Sequence, residues 1–167
     1  DYSRALGDTG AHGPAAAPVF LPCLSGIRTP WNRPDMTGRV TGLHPGVTPA
    51  MLAYATMEGV AFQFADCVAA QQEVGARPER FTVVGGGTRS RLWLRLLSTA
   101  LDRPVSLIDG ADIAGPRGAA RLAAVAAGAP ASVLGEPIAP TGLVSPEMAL
   151  AEAIAPRREA MRAMMMS

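Results

Sequence analysis

The chain has no lysine; its basic residues are fifteen arginines among 167 positions. That excludes a P-loop, which needs its lysine at the phosphates, and it excludes Schiff-base and lysine-base chemistry. Aromatic residues are scarce, at 5%, so alanine and aliphatic side chains must close the core, with less apolar area buried per residue. Two cysteines, Cys23 and Cys67, are too few for a disulfide framework and suit a reducing cytoplasm. Cys67 lies in an apolar helical run, which predicts a buried thiol. The histidines, His12 and His44, sit in loop-like segments and form no ligand cluster, so no metal site is expected. A net charge of +1 gives no reason to expect nucleic acid or an anionic membrane as partner. No basic stretch followed by an apolar one opens the chain, and its longest low-charge run, residues 51–67, contains Glu58, Gln63 and Asp66. Neither a signal peptide nor a membrane span is therefore expected. The start at Asp1 fits a fragment or a processed product.

Hydrophobic residues make up 49% of the chain, enough for one globular domain with a core. Residues 1–19 are rich in Gly, Ala and Pro without periodicity and read as a loose arm; residues 20–167 read as the folded domain. Repeated Pro and Gly over residues 20–47 exclude long helices, leaving short extended pieces near 20–24 and 39–43. Thr48-Pro49 is a helix start, with Thr as N-cap and Pro at the first helical position. The helix should run to about Val74, buried along its first half, with Gly75 as its left-handed cap. Residues 80–84 read as a short buried strand, Ser90 caps the next helix, Pro104 ends it, and residues 105–108 form a second strand. Pro116 opens a helix of small residues that Gly128 closes, which predicts a closely packed neighbour. After a Pro- and Gly-rich connection, Ser145-Pro146 opens a last helix that Pro156 should break. The alternation of helix and strand predicts an α/β fold with parallel neighbouring strands. Two strands are too few for a stable sheet, so others are hidden in the early loops or lie outside the chain.

The stretch VVGGGTRSRLW, residues 83–93, puts three glycines between a strand and a helix. Glycines there let the backbone approach a ligand closely, and a helix N-terminus offers free N–H groups and partial positive charge to phosphate. The alternative is a tight turn and nothing more. A third reading is a dinucleotide site, since Gly85-x-Gly87-x-x-Ser90 is one residue from GxGxxG and Asp109 ends the next strand. Other residues have bland readings beside sharp ones. Glu58 reads as a structural carboxylate bonded to a loop, Arg28 as an anchor of its own Pro-rich loop, Trp31 and Trp93 as packing residues, and the terminal methionines as a frayed helix end. Asp66 and Asp109 are too far apart in sequence to argue as a catalytic pair.

Several segments together resemble the FGGY family of carbohydrate kinases and, within it, the xylulokinases. They are FLPCLSGIRTPWNRPD (20–35), GLHPGVTPAMLAYATMEGVAF (42–62), VVGGGTRSRLWLRLLSTALDRPV (83–105), GPRGAARLAAVAAG (115–128) and APRREAMRAM (155–164). They occur in order and cover nearly everything after residue 19. The resemblance implies the C-terminal lobe of the actin/hexokinase-like (ribonuclease H-like) ATPase fold, incomplete here. It implies ATP and Mg²⁺ as cofactors, with Gly86, Gly87, Thr88 and Arg91 at the nucleotide. It also implies transfer of the γ-phosphate to a pentulose, most simply D-xylulose. The general-base aspartate belongs to the N-terminal lobe, so no catalytic residue is expected in this chain, and alone it should be inactive. That lobe and the sugar are the implied partners, in the cytoplasm. The chain departs from the family pattern at Ile27, where the family has glutamate, and at Ala65, where it has arginine; Asp112 lies where it often has an acidic residue. Beside the kinase lobe and the dinucleotide module stands a non-catalytic remnant that pairs with another lobe or self-associates as a homodimer.

Overall fold

The computed structural model describes residues 16–135 and 138–166. Most of the arm expected over residues 1–19 lies outside them. The two extended pieces of the early loops form an antiparallel pair, β1 (Val19–Leu21) with β2 (Arg39–Thr41), in which Phe20 faces Val40. The loop between them folds on itself. Ile27 and Arg33 exchange backbone hydrogen bonds of 2.9 and 2.8 Å, and the Arg33 guanidinium meets Asp35 at 3.1 Å. The side chain that pairs within this loop is therefore Arg33, not the expected Arg28. Ile27 packs against the main core, so where the family resemblance leads one to look for a glutamate, apolar contact holds the loop.

Helix α1 (Pro49–Glu73) starts as expected: the Thr48 hydroxyl accepts from the Met51 N–H at 3.2 Å, and Pro49 opens the first turn. It stops at Val74, and Gly75 follows at φ +91°. One face is buried through Met51, Tyr54, Ala55, Glu58, Ala61, Phe62 and Ala65, but Leu52 and Phe64 are exposed. Burial is thus confined to one side of the helix. Cys67 is only half-buried, against expectation, and its thiol donates to the Thr29 carbonyl; Cys23 is the buried one. Burial pushes both thiols up from the ordinary value.

Helix α2 (Arg91–Leu101) is the centre of the fold. Leu96 and Ala100 pack into a core shared with β1, α1 and the last helix, while Leu94 and Leu97 pack with Val105 against the second sheet. In that sheet β3 (Phe81–Thr82) runs parallel to β4 (Val105–Ile108), as the alternation predicts. Strand β3 is shorter than residues 80–84: the Val83 N–H still bonds Ser106, and Val84 is then exposed. The third strand, β5 (Pro140–Val144), pairs antiparallel with β4, so the sheet is mixed. Its PTGLV sequence reads as a connection, since Pro and Gly weaken a strand signal; Pro is tolerated because it opens an edge strand.

Helix α3 (Ala114–Ala126) follows a 3-10 turn, Ala111–Ile113. The close neighbour expected for its small residues is not seen: no residue of α3 is buried among the described residues, and Leu122 is exposed. Helix α4 (Met148–Met166) corrects two further expectations. It runs through Pro156, and its methionines are not frayed, since Met161 and Met165 are buried. A proline inside a helix removes one hydrogen bond and crowds the carbonyl four residues back; Ile154, Arg157, Met161 and Met165 on one packed face offset that cost.

Two buried carboxylates of α1, Glu58 and Asp66, fasten α4 through its arginines. Arg157 forks onto Glu58 at 2.7–2.9 Å and donates to the Ala17 and Pro18 carbonyls at 2.7 and 3.0 Å. Glu58 is thus structural, reaching the backbone of residues 17 and 18 through Arg157 and not directly. Burial pushes the Glu58 carboxyl up while the guanidinium pulls against it. Asp66, also buried, receives Arg158 at 2.7 Å and Arg162 at 2.5 Å.

Candidate functional site

The glycines emerge where the chain leaves β3. Gly85 sits at φ +94°, ψ 178°, a conformation that a Cβ makes costly, and its N–H donates to the Ala111 carbonyl at 2.7 Å. A 3-10 turn follows over Gly86–Arg89, closed by the Thr88 N–H and hydroxyl, both donating to the Gly85 carbonyl at 3.2 and 2.8 Å. Ser90 then caps α2, its hydroxyl accepting from the Trp93 N–H at 3.2 Å. The N–H groups of Gly86 and Gly87 find no acceptor among the described residues.

The three glycines differ in why they lack a side chain. Gly85 needs its backbone conformation. A Cβ on Gly87 would lie 3.0 Å from Nε1 of Trp93. Gly86 has neither reason: its φ is ordinary, and nothing lies within 4 Å of where its Cβ would stand. The fold alone does not call for glycine at that position, and the backbone there is open to approach.

Beside the turn, Arg89 pairs with Asp112 at 2.5 Å, joining it to the 3-10 turn before α3. That hydrogen bond holds the Asp112 carboxyl below the usual carboxylate range. Arg91, the first residue of α2, is exposed and makes no pair with a described residue. The structure therefore brings Gly86, Gly87, Thr88 and Arg91 together along one turn and helix start, with free amides, a hydroxyl and a cation. Sequence reasoning missed Asp112 as the partner of Arg89 and Trp93 as the neighbour of Gly87. Asp66 is held by α4, while Asp109 is exposed at the end of β4. A cleft of about 310 Å³ between α1, α2 and α4 is lined by Phe62, Asp102, Arg158 and Arg162 but by no residue of the turn. The open turn has the chemistry for phosphate and is the better candidate.

The strands flanking the glycines are parallel, as the dinucleotide alternative requires, but its fingerprint leads straight from the glycines into a helix, whereas here a 3-10 turn intervenes. Among the described residues no three His, Cys, Asp or Glu side chains are grouped to hold a metal ion. Among them, too, no helix is long and apolar enough to cross a membrane.

Residues 5–127 match the model of the FGGY family of carbohydrate kinases, C-terminal domain. The chain is 40% identical over 114 residues to xylulose kinase of Escherichia coli (strain K12) and 42% identical over 113 residues to that of Klebsiella pneumoniae. These matches cover 68% and 67% of this chain but only 24% and 23% of those proteins. The chain thus spans about a quarter of the length of the curated relatives it matches. A crystal structure of a xyloylose kinase from Brucella ovis superposes with a TM-score of 0.80 at 35% identity, over 98% of this chain and 34% of that one. The glycine turn, the two small sheets and the helices around α2 are therefore part of the actin/hexokinase-like fold of sugar kinases, and the chain belongs to the FGGY family of carbohydrate kinases, whose C-terminal domain it carries.

Proposed function

We propose that residues 20–167 form the nucleotide-binding lobe of a kinase that transfers the γ-phosphate of ATP to a pentulose, D-xylulose. The observation that carries this reading is Gly86, a glycine with open space beside it and a free N–H next to a second one. A phosphate chain laid along the turn would be met by the amides of Gly86 and Gly87 and the Arg91 guanidinium, and the Thr88 hydroxyl would reach it only by giving up its bond to the Gly85 carbonyl. Kinases of this kind act by positioning and charge stabilisation, and preorganised amides supply both.

The carboxylate joined to the turn, Asp112, is engaged by Arg89, so these residues do not make a magnesium site. Mg²⁺ would arrive on the phosphates, as it does where few carboxylates are offered. The general base and the sugar would come from an N-terminal lobe. The exposed side chains of Leu122, Leu134 and Leu143 are apolar surface suited to such a partner, or to a second copy in a homodimer. The cytoplasm is the compartment that fits two free thiols.

Calorimetric titration of the 167-residue chain with ATP and with NAD, each with and without Mg²⁺, tests the nucleotide assignment. Binding of ATP and not NAD is expected, with no turnover of D-xylulose by this chain alone. Together with an N-terminal lobe that supplies the base, this lobe should support phosphorylation of D-xylulose in preference to glycerol. A reversed preference would overturn the pentulose assignment, and turnover by the chain alone would overturn the location of the base.

A further inference from the structure

Gly87 has an ordinary φ, so its missing side chain is not explained by backbone conformation. The explanation is Trp93. A Cβ on Gly87 would stand 3.0 Å from the indole Nε1 and 3.1 Å from Cδ1, tighter than ordinary contact. The indole cannot easily retreat. It is half-buried, packs against both core clusters, and meets the Phe64 ring edge-on at a centroid distance of 6.2 Å and 63°. Phe64 belongs to α1, which the buried Glu58–Arg157 pair holds in place. The same Trp93 donates its N–H to the Ser90 hydroxyl that caps α2. One residue thus touches the middle of the turn with its ring and the end of it with its backbone.

We propose that Trp93 is a positioning residue for the glycine turn: braced by Phe64, its indole edge sets Gly87 and with it the free amides of Gly86 and Gly87. The consequence for ligand binding rests on the nucleotide reading above; the consequence for the turn does not.

The test uses the 167-residue chain and two readouts, hydrogen exchange at the Thr88 and Ser90 amides and ATP affinity by calorimetry. Gly87→Ala should speed exchange at both amides and weaken ATP by about tenfold. Adding Trp93→Leu to Gly87→Ala should recover much of both losses, because the smaller side chain vacates the space the methyl needs. Trp93→Phe, which keeps an aromatic ring against Phe64, should give a smaller change than Trp93→Leu and serves if the leucine variant does not fold. Phe64→Ala, which does not touch the turn, should also speed exchange at Thr88 and Ser90. Additive losses in the double variant, or unchanged exchange in Gly87→Ala and Phe64→Ala, overturn the proposal. If the unsubstituted chain binds no ATP, the nucleotide reading falls and exchange alone decides the role of Trp93.

Discussion

Arg157 and Glu58 stand 99 residues apart in sequence and meet in a buried fork, with all three hydrogen bonds between 2.7 and 2.9 Å. The pair closes α4 onto α1, and the remaining donors of Arg157 hold two backbone carbonyls beside β1. Breaking it by Glu58→Gln or Arg157→Met leaves a buried polar group without its counterpart and should cost about 3–5 kcal/mol. The double variant Glu58→Leu with Arg157→Met removes both charges but still orphans the carbonyls of Ala17 and Pro18. It should retain a loss of about 1–3 kcal/mol. Urea unfolding of the four proteins measures this, and equal stability of the single and double variants would contradict it.

The glycine turn offers a contrast between adjacent positions. Gly85→Ala places a side chain at φ +94° and should cost about 1–3 kcal/mol of stability. Gly86→Ala meets open space and should change stability by less than about 0.5 kcal/mol while weakening ATP about tenfold. Arg91→Ala should behave like Gly86→Ala, because its side chain is exposed and makes no pair with a described residue. Undiminished ATP affinity in both Gly86→Ala and Arg91→Ala would place the nucleotide elsewhere.

Arg95 grips Glu147 in a fork of 2.5 and 2.6 Å just before α4, and that hydrogen bond holds the Glu147 carboxyl below its ordinary 4.5. A depressed carboxyl contributes stability above the unfolded-state value and loses it as pH falls through the folded-state value. The contribution should therefore be complete well above pH 4.5, decline as pH falls below it, and be gone only below the folded-state value. Both partners are partly exposed, so it should not exceed about 1 kcal/mol. Melting temperatures of the unsubstituted chain and Glu147→Gln, followed from neutral pH into acid, should converge. A gap that stays constant through the acid range would refute this.

Pro156 is exposed within α4. Pro156→Ala restores a backbone donor and removes a ring clash, but it also frees the unfolded chain. The net gain should be about 1–2 kcal/mol. A lower melting temperature for this variant would show that the ring itself packs usefully.

The elements legible in the sequence are those whose signals are local. Thr48 and Pro49 begin α1, Ser90 caps α2, and the β-branched and aliphatic run Val105–Ile108 pairs as β4. What escaped depends on partners far along the chain. β5 is a strand only because β4 offers it an edge, and α4 survives its proline because α1 and β1 hold its buried face. The turn itself was readable as strand, glycines, helix. The reason for Gly87 was not, since it depends on where Phe64 places an indole that begins six residues later in the chain.

The division of α2 between two cores has a consequence for how the molecule loses its structure. Leu96 and Ala100 belong to one cluster, Leu94 and Leu97 to the other, and all four stand on a helix of 11 residues. Neither cluster can loosen without withdrawing the helix that seals its neighbour. Heat should therefore dismantle both in one cooperative step, with calorimetric and van't Hoff enthalpies in agreement. A ligand seated at residues 85–90, at the head of that helix, would delay both at once.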